Sequence, residues 1–331
     1  MSVKTKLRAP STVLVLLALC LLVSVFAISG GEYQMTPWQV LKVLFGQGEG
    51  IENMVIWQWR MPRAVAALLF GAALALSGAV FQSLTRNPLG SPDIIGFSTG
   101  AYTGALITLT VLGGGFVATS LGALTGGLLT ALLVYLLAWR NGTAGFRLIL
   151  VGIGISSVLA SFNHFLVLRA ELDVAMAAAV WGAGTLNGLT WQSVTPVGIL
   201  VVLVSALLLA SSSQLRMLQL GDDLCRALGM RVERTKLLLV VLAVFLVAAV
   251  TSLAGPIAFV ALVAPQIARR LAGSAGLQLV PTALVGALLL ASSDLLAQRL
   301  FAPVQLPVGV VTVCFGGLYL IYLLNRRTTK V

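Results

Sequence analysis

Arg60 and Arg63 stand three residues apart in the stretch WRMPR, a spacing that puts two planar guanidinium forks on one helical face. Such a pair suits gripping the carboxylates of a partner, although interfacial arginines that snorkel to lipid headgroups would be placed in the same way. A second constellation, Gly154, Ser157, Ser161 and His164, falls on one face of an apolar run, with Asn163 beside it. Its hydroxyls and imidazole fit a weakly polar path, or the hydrogen bonds that hold membrane helices together. His164 is the one histidine in the chain, and Cys20, Cys225 and Cys314 have no metal-like spacing, so no metal site is expected. One histidine and no paired acids also leave an enzyme little chemistry to work with. A GxxxxGK[ST] phosphate loop occurs nowhere, so any ATP energy must come from another chain.

The elements that position these residues follow from composition. Of the 331 residues 59% are hydrophobic and 9% charged, and a mean hydropathy of +1.02 exceeds what a water-soluble core can hide. The chain is therefore expected to be an all-α integral membrane protein, one polytopic unit over 1–331. The net charge of +11 is scattered singly between apolar runs, which argues against nucleic acid. Lys4, Lys6 and Arg8 precede the first apolar run, and with so many spans following, an uncleaved anchor is expected rather than a signal peptide.

A membrane crossing takes about 20 apolar helical residues. That length marks ten candidates, at roughly 13–29, 62–82, 94–112, 116–139, 147–168, 191–210, 236–254, 256–270, 279–298 and 307–324. With ten crossings and both termini cytoplasmic, only Lys42, Arg60, Arg63, Arg169 and Arg299 of the 21 Lys and Arg residues lie outside, as the positive-inside rule requires. Dropping the eighth span would strand Arg269 and Arg270 on the wrong face.

Two stretches interrupt the apolar runs. FQSLTRNPLGSPDIIGFSTGAYTG, from Phe81 to Gly104, carries Pro88, Pro92 and four glycines, so it cannot be one continuous helix. GPIAFVALVAP, from Gly255 to Pro265, echoes it in the other half. Irregular backbone at membrane depth needs protein or a water-filled cavity to satisfy it, and matched broken segments in two halves point to a transporter path. The largest inner loop, 214–236, reads QLRMLQLGDDLCRALGMRVERTK. Gly221-Asp222-Asp223 as a cap, Leu224, Ala227 and Leu228 at helical spacing, and Gly229 as a stop predict a short helix at the cytoplasmic face. It would serve as a handle for a soluble partner, or as an amphipathic connector on headgroups.

Taken in order, WRMPR, GAALALSGAVFQSLTRNPLGSPDIIGFSTGA, the GDD and ALG of the inner loop, GPIAFVALVAPQIARR and LPVGVVT resemble the FecCD-type permease subunits of binding-protein-dependent ABC importers for iron–siderophore complexes and vitamin B12. The resemblance covers nearly the whole chain from about Trp57 onward, and NGLTW with the GDD looks most like the ferric-enterobactin branch. It implies a ten-helix subunit of the vitamin B12 importer (type II) fold in the bacterial inner membrane, paired with a second permease as a heterodimer rather than a homodimer. Two ATPase subunits would dock at Gly221, Asp222, Ala227, Leu228 and Gly229, and a periplasmic siderophore-binding protein at Arg60 and Arg63. Asn87 and Leu89, with Thr143 and Phe146, would close the inner end of a path along which Ser157, Ser161 and His164 are candidates. This chain itself would bind no cofactor, ATP acting through the partner ATPase.

Two positions depart from the family pattern. Gln266 replaces the histidine of the usual APHIAR, and Gln298 stands where many relatives carry an arginine four residues after the aspartate, here Asp294. Arg299 is one position further and about 100° around the helix. The leading expectation is a non-catalytic permease importing a ferric siderophore, ferric enterobactin or another catecholate; the alternatives are vitamin B12 or haem import, and an ion-coupled secondary transporter. The last needs an intramembrane carboxylate, for which Asp294 is the candidate.

Overall fold

The computed structural model describes residues 3–31, 33–48, 50–138, 145–273 and 278–328. Every regular element among them is helical: α1 (Val3–Ser29), α2 (Pro37–Lys42), α3 (Gly50–Met54), α4 (Met61–Thr85) and α5 (Phe97–Thr110) come first. Then follow α6 (Phe116–Ala138), α7 (Gly145–Arg169), α8 (Leu172–Gly182), α9 (Trp191–Ala210), α10 (Ser212–Leu218) and α11 (Asp222–Ala227). The chain closes with α12 (Val232–Ala254), α13 (Val260–Ala272), α14 (Leu279–Arg299) and α15 (Val308–Thr328).

Each of the ten expected spans has its helix, and seven segments are long and apolar enough to cross a membrane by length and composition. α5 and α13 are short, at 14 and 13 residues, or roughly 20 Å of helix against a hydrocarbon core of about 30 Å. Both begin only after a broken stretch, 86–96 and 255–259, so irregular backbone sits at the level where a straight helix would have continued. The chain before α4 is more helical than a simple loop. α3 runs through a π-type turn, Val55–Arg60, directly into α4. Pro62 lacks the N–H an α-helix would donate there, and the wider turn absorbs the mismatch.

α4 is the centre of the bundle and packs against α9, α12, α13 and α14. Lipid tails are as apolar as the side chains, so close van der Waals fit rather than water exclusion holds such helices together. The small face of α4 provides that fit: a Cβ at Gly71 would overlap the Gly286 carbonyl of α14, and one at Gly78 the Ala261 carbonyl of α13. Ser77 Oγ adds a 2.9 Å hydrogen bond to the Ala243 carbonyl of α12. α1 packs along α14 with Leu16 buried, and Cys20 lies against the Leu284 carbonyl.

Candidate functional site

The chemistry-bearing side chains collect in three places: one at each end of the bundle and one between the broken stretches. At the first end, Arg63 on α4 meets Asp294 on α14 in a bidentate pair, with Nε to Oδ2 at 2.9 Å and Nη2 to Oδ1 at 2.8 Å. Asp294 is 2% exposed. Its Oδ2 also accepts from Gln298 Nε2 at 2.7 Å, and Arg63 Nη1 donates to Gln305 Oε1 at 2.7 Å. Arg60 donates to the carbonyls of Ile28 and Tyr33 at 2.7 and 2.6 Å, satisfying backbone groups where α1 ends. These residues border a cavity of about 310 Å³ that also takes in Gly30, Gly31 and Trp59.

The two arginines therefore do not stand as free forks. Arg63 is spent inside the protein, and Arg60 keeps a half-buried guanidinium at the cavity rim. Gln298 supplies a hydrogen bond to Asp294, while Arg299 points away and donates to the Phe26 carbonyl at 2.7 Å. Asp294 thus faces the bundle and Arg63, not Arg299.

At the opposite end the expected short helix exists as α11. Its cap residue Gly221 has φ 114°, and Gly229 at its exit has φ 82° with open space where a Cβ would project. Asp222 accepts from Arg86 Nη2 at 2.9 Å through one oxygen and from Lys236 Nζ at 2.5 Å through the other. Arg226 adds contacts to Asp223 and Glu233 at 3.3 and 3.6 Å. Leu224, Ala227 and Leu228 are exposed, so α11 turns an apolar edge outward although Cys225 is buried beneath it.

Arg86, the residue that Asp222 holds, caps α4 in the left-handed region at φ 50° and begins the first broken stretch. Within it the Leu89 N–H donates to Asn87 Oδ1 at 2.9 Å, which turns the chain back on itself with Leu89 exposed. Gln266 Nε2 on α13 donates to the Pro88 carbonyl at 2.9 Å, so the amide at the departing position fastens this loop. Arg269 donates to Gln82 Oε1, and Gln82 Nε2 to the Leu262 carbonyl. A continuous set of bonds therefore runs from α11 through Arg86 to the 87–90 turn and on to α13. Thr143 lies outside the described residues, and Phe146 is described only as backbone at the start of α7.

The third place joins the two broken stretches. Asp93 of the first lies against the Phe259 backbone of the second, and its Oδ1 accepts from Ser98 Oγ at 2.8 Å. Phe259 and Arg86 are the two non-glycine residues with positive φ among the described residues, one in each stretch, and strained backbone of this kind persists only where the surroundings hold it. Beside them Ser98, Thr99, Tyr102, Ala160, Asn163, His164, Val167 and Pro256 line a cavity of about 390 Å³. Of the three path candidates on α7, His164 reaches it. The Ser157 and Ser161 hydroxyls instead bond back to the carbonyls of Ile153 and Ser157, four residues earlier. Asn163, Thr99 and Tyr102 line the cavity without having been singled out as path candidates. The FSTGAY run that opens α5 was the available signal, because three hydroxyl side chains there follow a helix break.

Comparison with known proteins places this arrangement. The model of the FecCD transport family matches residues 16–326. The chain is 50% identical over 96% of its length to the ferric enterobactin transport system permease protein FepG of Escherichia coli K12, covering 97% of that protein. It is 38% identical over 95% of its length to a Bacillus subtilis protein described as a probable siderophore transport system permease, YfhA, covering 94% of it. A solved chain described as an inward-facing metal-chelate type ABC transporter superposes with a TM-score of 0.86 at 27% identity, over 96% of this chain and 99% of that one. With the family model spanning nearly all of its length, and with the two broken stretches and the ends they connect in place, this chain belongs to the FecCD transport family of multi-pass ABC importer permeases.

Proposed function

We propose that this chain is the membrane-spanning permease subunit of an importer that carries a ferric siderophore, ferric enterobactin or another catecholate, across the bacterial inner membrane. It pairs with a second permease in a heterodimer and is driven by ATP hydrolysis on two separate ATPase subunits. The ATPases sit at the Asp222 end, on the segment 214–236, with Gly221, Asp222, Ala227, Leu228 and Gly229 as the contact. That end is cytoplasmic, together with both termini. Supporting this orientation, the Lys and Arg residues crowd there.

The observation that carries the proposal is the unbroken set of contacts from α11 through Asp222–Arg86 to the Asn87–Leu89 turn and Gln266. A push on α11 arrives at the turn that closes the path, in which Asn87 and Leu89 act as the gate. A periplasmic siderophore-binding protein docks at the opposite face. Arg60, partly exposed at the cavity rim, is the contact there, and Arg63 fixes the geometry from its pair with Asp294. At Asp294, the carboxylate that ion coupling was expected to use, that reading has less to stand on, because Arg63 pairs with it at 2.8 Å.

The test is uptake of radiolabelled ferric enterobactin in cells lacking this chain, with labelled cyanocobalamin and ferrichrome run alongside. The expected result is loss of enterobactin uptake alone. Loss of cyanocobalamin or ferrichrome uptake instead would overturn the substrate, and loss of none would overturn the transport role.

A further inference from the structure

Six buried side-chain nitrogen and oxygen atoms among the described residues have no hydrogen-bond partner: Asp93 Oδ2, Ser120 Oγ, Asn163 Nδ2 and Oδ1, Glu233 Oε2 and Tyr319 Oη. Half of them meet at one place, because Asn163 lines the cavity between α5 and α7 and Asp93 stands one hydrogen bond behind it through Ser98. Asn163 is 4% exposed. A buried amide with neither its donor nor its acceptor used is costly and rare, and it calls for a partner.

The chemistry of that partner is set by what the cavity still offers. Asn163 presents one acceptor and one donor side by side, the complement of another amide. Ser98 has already donated its proton to Asp93 at 2.8 Å and Tyr102 donates to the Ala178 carbonyl at 3.3 Å, so both oxygens are left to accept. No Lys or Arg is among the lining residues, and the Asp93 carboxylate stands directly behind Ser98. An anionic metal–catecholate centre gains nothing here, whereas a neutral arm with an N–H and a C=O does. A cavity of about 390 Å³ is at the small end for ligand pockets, so it admits one arm of a chelate and not the whole.

We propose that Asn163, with Thr99, Tyr102 and His164, forms a way station that hydrogen-bonds an amide-bearing arm of the chelate as it passes between α5 and α7. This rests on the reading of the chain as a chelate permease. Sequence alone places His164 on this path but gives no reason to prefer Asn163. What distinguishes Asn163 is its burial without a partner.

The experiment uses the whole transporter in proteoliposomes with its ATPases, second permease and binding protein, and follows uptake of ferric enterobactin, whose catecholates hang on amide links. Asn163→Leu keeps the heavy-atom branching of the side chain and cannot hydrogen-bond. Replacing an orphaned amide by an apolar group costs the fold little, so assembled complex should be recovered in wild-type amount while the KM for uptake rises roughly tenfold, the loss of two neutral hydrogen bonds. Asn163→Gln, which keeps the amide, should restore part of the loss. If the leucine variant does not assemble, Thr99→Val is read in the same assay, with a rise of about threefold expected for one bond. A wild-type KM in the assembled leucine variant, or in Thr99→Val where that stands in for it, overturns the way station alone. No uptake by the wild-type complex overturns the functional reading beneath it.

Discussion

The two ends of the bundle handle charge in opposite ways. At one end Arg63 and Asp294 are drawn inside, 14% and 3% exposed at their side chains, and their pair ties α4 to α14, with Gln298 of α14 and Gln305 beyond it completing the hydrogen bonds. At the other end the Arg86–Asp222 pair stays at the surface, 54% and 31% exposed, beside an α11 whose leucines turn outward, although Asp222 is also held from below by the buried Lys236. A charge pair buried between helices fixes one geometry, since breaking it strands an ion in a poorly solvated place. A surface pair holds loosely and can be re-formed. The Arg63 end is thus a clamp, and the Asp222 end is a handle.

The helices between the ends show the same division. The α4 segment is 78% buried and α7 only 17%, so α4 is a fixed axis whose neighbours lie within this chain. α7 offers most of its surface to something beyond it.

Breaking the clamp should have the largest effect on stability. Asp294→Asn leaves the Arg63 guanidinium buried beside a neutral amide and should cost about 3 kcal/mol, read as lost thermal stability of the purified subunit. Replacing both partners with apolar residues should recover most of it, and a single variant as stable as wild type would remove the clamp from the account. The handle should respond the other way. Arg86→Gly deletes a surface pair worth less than about 1 kcal/mol and relieves a left-handed backbone that glycine adopts freely. Stability should therefore stay within about 1 kcal/mol of wild type while uptake falls severalfold. A large stability loss with unchanged uptake would exchange the roles of the two ends.

Helices were legible in the sequence because length and hydropathy are local properties: each of the ten expected spans has its helix, seven of them in segments long and apolar enough to cross a membrane. α11 was legible too, with its glycine cap and stop. Arg63–Asp294 was not, for 231 residues separate the two and only the approach of α4 to α14 at Gly71 and Gly286 brings them together. Each arginine therefore read as free when both have internal partners. Gln298 read as a lost arginine, yet its amide serves the same aspartate. The broken stretches were visible as proline and glycine, but their meeting at Asp93 and Phe259 was not, nor was the isolation of Asn163, which depends on what fails to surround it. Pro62 stands in the first turn of α4, and a π-type turn leads into it.

The most direct test of the handle is at Gly229. Its φ of 82° strains any side chain, although nothing lies within 4 Å of where a Cβ would project, so Gly229→Glu is compared with Gly229→Asn, which tolerates that backbone. Both variants would be purified from membranes with the ATPase co-expressed, and ATP-driven uptake of ferric enterobactin measured in proteoliposomes. The account predicts that the asparagine variant keeps the ATPase and most of its uptake, and that the glutamate variant inserts normally, loses the ATPase and falls to background. A glutamate variant with wild-type ATPase content and uptake would contradict it.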